Sequence, residues 1–130
     1  MTGVISHRVE HSTIGIDRHI FYWQSDSAGS AEMFLDPIRG RLLYGTTAPV
    51  EGAQPTDNYD VKLLDEWGND SMQSLLVNRD DTNPELQPIY DGLSGGYKYA
   101  YVSDSGRYKF RVANAGDTKS GIVCIYILTA

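Results

Sequence analysis

From Tyr59 the chain alternates apolar and polar side chains, so that Tyr59, Val61 and Leu63 share one face and Asp60 and Lys62 the other. A period of two is that of an extended strand with one buried face. The same period returns from Gly106 to Asn114, with Tyr108, Phe110 and Val112 on one side and Arg107, Lys109 and Arg111 on the other. Between Gly121 and Leu128 both faces are apolar, which predicts a strand covered on each side, central in its sheet or lying against a neighbouring subunit. Less regular runs predict strands over 4–9, 18–24, 41–46, 87–90 and 97–102.

Turn chemistry separates these runs. Asp91-Gly92, Gly95-Gly96, Ser103-Asp104-Ser105-Gly106 and Ala115-Gly116-Asp117 supply glycine for positive φ, or side chains that bond nearby backbone. The last three strands are expected to form a meander. The stretch Thr46 to Asn58, broken by Pro49, Gly52 and Pro55, reads as a surface excursion. Only Ser71 to Arg79 suggests helix, because Met72, Leu75 and Leu76 have i, i+3, i+4 spacing behind a possible Asp70 or Ser71 cap. The chain therefore reads as all-β: an antiparallel β-sandwich of jelly-roll type, with at most one short helical turn. An immunoglobulin-like sandwich is the other topology considered. One domain is expected over 1–130, with the N-terminal segment, about 1–15, as an arm contacting neighbours.

Charge narrows the partners. Eleven Lys and Arg stand against seventeen Asp and Glu, a net charge of −6. Nucleic-acid affinity comes largely from cations displacing phosphate counterions, so nucleic acid is not expected as a partner. No apolar run approaches membrane-spanning length and the N-terminus lacks the apolar core of a signal peptide, so a soluble protein made in a reducing cytosol is expected, with no membrane contact. In that setting the Asn69-Asp70-Ser71 sequon is accidental. Cys124, the lone cysteine, lies in the most apolar stretch and reads as a small buried hydrophobe.

Candidate chemistry is thin. His7-Arg8-Val9-Glu10-His11 fits H-x-x-E-H, but that zinc motif requires a helix. In a strand, His7 and His11 stand about 13 Å apart, too far to share an ion. Asp17 and His19 share only a strand face, with no serine in a nucleophile elbow. Asp60, Asp65 and Glu66 form the densest acidic set, but alternation puts the two aspartates on opposite faces. The run from Asp117 to Gly121 lacks the spacing of a phosphate loop. No enzyme activity, metal or cofactor is expected. Tyr97, Tyr99 and Tyr101 form a period-two stripe suited to core packing, a protein interface or a sugar platform. Together with Trp67 and Arg79 they are the candidate interface residues.

Several stretches nevertheless form a recognisable series. Pro55-Thr56-Asp57-Asn58-Tyr59-Asp60-Val61 is followed by Leu64-Asp65, Gly68 and Asn78-Arg79-Asp80. The series closes on Asn114-Ala115-Gly116-Asp117, Lys119-Ser120-Gly121 and Tyr126. Across roughly 40–127 it resembles small virion structural proteins of tailed bacteriophages, similar to the cement or decoration proteins on the outside of icosahedral heads. The resemblance implies a jelly-roll fold and a place on the outer head surface. It also implies the major capsid protein and sister copies, as a dimer or trimer, as partners. A tail or head–tail protein of the virion and a carbohydrate-binding β-sandwich are the alternatives.

Overall fold

The alternating runs become nine strands among the residues described by the structure, a computed structural model covering 3–36, 38, 40–89, 100–102 and 107–129. They are β1 (Val4–His11), β2 (Ile16–Gln24), β3 (Ala31–Phe34), β4 (Gly40–Pro49), β5 (Asp60–Leu64), β6 (Glu85–Pro88), β7 (Ala100–Val102), β8 (Lys109–Ala113) and β9 (Ser120–Leu128). Two antiparallel sheets result. The larger runs β1-β2-β9-β4-β6, with β7 also pairing β4, and the smaller runs β3-β8-β5. The expected β-sandwich is therefore present, and no helix occurs among the described residues.

One hydrophobic cluster fills the space between the sheets. Phe21, Trp23, Leu42, Val123, Ile125 and Ile127 face it from the larger sheet, and Val61, Leu63, Phe110 and Val112 from the smaller. Phe21 and Phe110 stack across the interior with ring centroids 3.9 Å apart. Burying one such side chain contributes about 1.5–3 kcal/mol, so the inward half of each alternating strand is what selects its register. Trp23 lies flat against β9 because residue 121 is glycine: a Cβ there would come within 2.6 Å of Trp23 Cζ2.

Three expectations need correction. The last three strands form no meander: β7 pairs β4, β8 lies in the smaller sheet and β9 is inserted between β2 and β4. Alternation specifies a strand's buried face, but not the sheet it joins. Residues 71–76 form turns rather than helix, with Gln73 and Ser74 at φ 52° and 63°. Asp70 caps these turns, accepting from the N–H groups of Leu63, Met72 and Ser74, while Met72 and Leu76 reach the core. The supposed excursion from Thr46 is still strand as far as Pro49. The strand expected over 4–9 is β1, at the edge of the larger sheet and paired with β2 along its whole length.

The free edge of β5 is covered irregularly. Val61 and Asn58 donate to Leu76 and Arg79 carbonyls, while Ser71 and Arg79 donate to those of Leu63 and Tyr59. The returning segment thus occupies a fourth place in the smaller sheet without regular strand geometry.

Candidate interaction surface

The outer face of the larger sheet follows from the strand registers. Val4, Arg8 and Glu10 of β1 stand beside Arg18, Ile20 and Tyr22 of β2; Ile122, Cys124 and Tyr126 of β9 follow, then Tyr44 and Thr46 of β4 and Leu86 of β6. Most solvent-facing sheet surfaces are polar. Here Val4, Tyr22 and Leu86 are respectively 59%, 45% and 61% exposed. Between them Tyr44 and Tyr126 stack with centroids 4.2 Å apart. Arg18 lies across this surface, donating through Nη2 to Cys124 Sγ at 3.6 Å and through Nη1 to Glu10 at 3.0 Å. Ile20 and Cys124 are buried even though their strand positions point outward. The expectation of a central β9, apolar on both faces, holds, as does burial of the lone cysteine.

The opposite face has different chemistry. Lys62, Lys109 and Arg111 project from β5 and β8. Arg107 sits 4.0 Å over the exposed Phe34 ring, and Lys109 pairs with Glu32 at 3.7 Å. Phe34, Arg107 and Lys109 share a shallow cavity with Leu64, Asp65 and Glu66. Trp67, 81% exposed, stands on the turn beside this cavity. That turn is held by Asp65 Oδ1, which accepts from Trp67 and Asn69 N–H groups, and the Asn69 bond holds the Asp65 carboxyl below its ordinary range.

The residues named from the sequence are therefore scattered. Tyr97 and Tyr99 lie outside the described residues, and Tyr101, on β7, pairs in register with Arg41 of β4. Trp67 is presented to solvent. Arg79 is turned inward: Nε and Nη2 donate to Val77 O, Nη1 lies 3.7 Å from Glu85, and its side chain is 13% exposed. Tyr22, Tyr44 and Tyr126 were not named as interface residues from the sequence, although Tyr126 closes the series of stretches quoted there. The signal was the two-sided apolar run Ile20-Phe21-Tyr22-Trp23, which matches 121–128 in kind.

The stretches around Asp60, Asn78, Asn114 and Gly116 converge at one end of the sandwich, whereas Leu64-Asp65 and Gly68 lie at the far end of β5 and Tyr126 on the outer face of the larger sheet. Asp60 accepts from Asn78 N–H at 3.0 Å and Asn114 Nδ2 at 2.7 Å, while Thr56 donates to Ala115 O. Asn58, Asn78 and Asn114 all take positive φ, tolerable for Asn because its short polar side chain bonds locally. Gly116, at φ 86°, lies so near Thr56 that a Cβ would collide with its hydroxyl. Asp57, Asp80 and Asp81 bring carboxylates within 4.8 Å of one another nearby. Thr82 and Asn83 N–H groups bond Asp80 and hold its carboxyl low.

At the other end the three histidines of the chain gather. As expected for a strand, His7 and His11 do not approach one another through the H-x-x-E-H spacing. Each finds its neighbour on β2: His7 Nε2 lies 3.0 Å from His19 Nδ1, and His11 Nδ1 lies 2.7 Å from Asp17. Burial lowers the proton affinity of both His7 and His19, that of His19 to a pKa of about 4.

Searches with family models, curated proteins and solved structures find no match to this chain.

Proposed function

We propose that this chain is a virion structural protein, a cement subunit of a tailed-phage head that binds the outer capsid surface through the outward face of its larger sheet. The observation that carries the reading is that face itself. Tyr22, Tyr44, Tyr126, Ile122 and Leu86 form an apolar and aromatic surface edged by Arg8, Glu10 and Arg18. Aromatic residues and arginine are the types enriched where proteins meet, and tyrosine offers large contact area at low entropic cost. A cement protein needs no reacting group. It adds binding energy across seams that exist only in the assembled shell, and many copies act together.

The strand order supports the jelly-roll part of the proposal. Successive strands β2, β3, β4 and β5 alternate between sheets, β8 and β9 do the same, and the order β2-β9-β4-β6 faces β3-β8-β5. The segment on the free edge of β5 stands where a jelly roll's remaining strand would lie. A net charge of −6 suits a position outside the shell, away from packaged nucleic acid. The proposed partners are the major capsid protein and sister copies.

Trp67 favours a second reading, a carbohydrate-binding module, because an exposed indole beside Asp65, Glu66 and Arg107 could stack on a sugar. Cosedimentation of the purified chain with heads lacking it, alongside a glycan array, separates the two. Saturable binding to heads without glycan binding supports the cement reading, and the reverse supports the module.

A further inference from the structure

We propose that His7 Nε2 and His19 Nδ1 form the binding site for one divalent transition-metal ion of the zinc and copper class, at the end of the sandwich where β1 and β2 begin their hairpin. All three histidines, with Asp17 and Asp36, line one open cavity of about 340 Å³ to which Val9, Ile38 and Thr129 also contribute. This departs from the H-x-x-E-H spacing, because the partner of His7 comes from the adjacent strand.

The donor set suits such an ion. Imidazole nitrogen is the commonest ligand for zinc and copper, and it must be neutral to bind. Burial disfavours the charged form of both rings. The two nitrogens already face each other at 3.0 Å. Two imidazoles on one tetrahedral ion, each about 2.0–2.1 Å from it, have nitrogens about 3.3 Å apart, so the pair must open by a few tenths of an ångström and tilt. His7 belongs to an edge strand, which leaves room for that movement, while its ring is steadied against Phe21 at a centroid distance of 4.5 Å.

Protons and charge both balance. Without metal, one of the two facing nitrogens carries the N–H shared with the other ring. On binding, that proton moves to the second nitrogen of its own ring, so both facing lone pairs become ligands and none is released. Asp17 and Asp36 supply two negative charges against the ion's two positive ones, and Asp36 already acts electrostatically on His7. Rotation of Asp36 across the cavity, or water, completes the coordination. The trio Asp57, Asp80 and Asp81, at the opposite end of the sandwich, lacks any such neutral donor and is engaged with its own turn.

The test is calorimetric titration of Zn(II) into the tag-free, metal-stripped protein near pH 7.5. One equivalent per chain is expected, with Kd below ~10 µM, equivalent to about −7 kcal/mol. His7→Gln and His19→Gln are each expected to weaken binding at least tenfold, and His11→Gln to leave it within threefold. If His19→Gln fails to fold, His7→Gln on the exposed edge decides. Cu(II)-loaded wild-type protein, read by electron paramagnetic resonance, is expected to show coupling to two imidazole nitrogens. No binding at 100 µM Zn(II), a copper spectrum without two nitrogens, or binding lost in His11→Gln but kept in His7→Gln would each overturn the site.

Discussion

Asn114 donates its side-chain amide to Asp60 Oδ2 at 2.7 Å, joining the end of β8 to the start of β5 across 54 residues of sequence. The other oxygen of the same carboxylate holds Asn78 N–H at 3.0 Å. Three stretches far apart in the sequence, around Asp60, Asn78 and Asn114, thus bind one another.

Asp60→Ala removes both bonds where water can partly replace them, so a loss of about 1 kcal/mol is expected, a fall in Tm of several degrees. Folded Asp60→Ala protein should bind heads as tightly as wild type. A thermal melt unchanged from wild type would show that the bonds do not hold this end together.

Gly121→Ala places a methyl against the Trp23 indole. Overpacking of a filled core costs about 1–3 kcal/mol, and a denaturant midpoint should fall accordingly. Trp23 fluorescence should shift as the ring is displaced. An unaltered midpoint and spectrum would contradict the flat packing of Trp23 on β9.

Acid should destabilise the metal-free protein through His19. Its folded pKa, about 4, lies below the ordinary 6.5 because burial disfavours the charged ring and His7 adds repulsion, only partly offset by Asp17. The unfolded chain therefore binds the proton first, and stability present above pH 6.5 is lost as pH falls toward 4. The loss is on the order of 1–3 kcal/mol. The groups facing it are His7, His11, Asp17 and Asp36. Melts in EDTA should show this slope in wild type and a flatter one in His19→Phe; equal slopes would remove His19 as the cause.

These residues also show where sequence reading succeeds. Strands β5, β8 and β9 were legible because Val61, Leu63, Phe110, Val112, Val123 and Ile125 must leave water together, a constraint printed directly in the alternation. Strand β3 was not, since Phe34 occupies its outward face and spoils the period. The i, i+3, i+4 spacing of Met72, Leu75 and Leu76 misled because a left-handed turn at Gln73 and Ser74 also brings Met72 and Leu76 inward. Sheet membership, and with it the outer tyrosine face, depends on pairing between distant strands. The meeting of His7 with His19 depends on hairpin register, which local spacing within β1 cannot reveal.

The two sheet faces should differ in function. Tyr22→Ser with Leu86→Ser removes exposed apolar contacts and should leave stability within about 1 kcal/mol of wild type. Head binding should weaken at least tenfold. Lys109→Glu with Arg111→Glu, on the smaller sheet, should bind like wild type. If the second pair abolishes binding and the first does not, the docking face is the opposite one.

The decisive measurement is a titration of the purified protein onto heads lacking it, following bound copies and the temperature at which the heads break open. Saturable binding at a fixed number of copies per head, with a rise in that temperature that levels off at the same ratio, is expected of a cement subunit. No saturation and no change in the breakage temperature would contradict the proposed function.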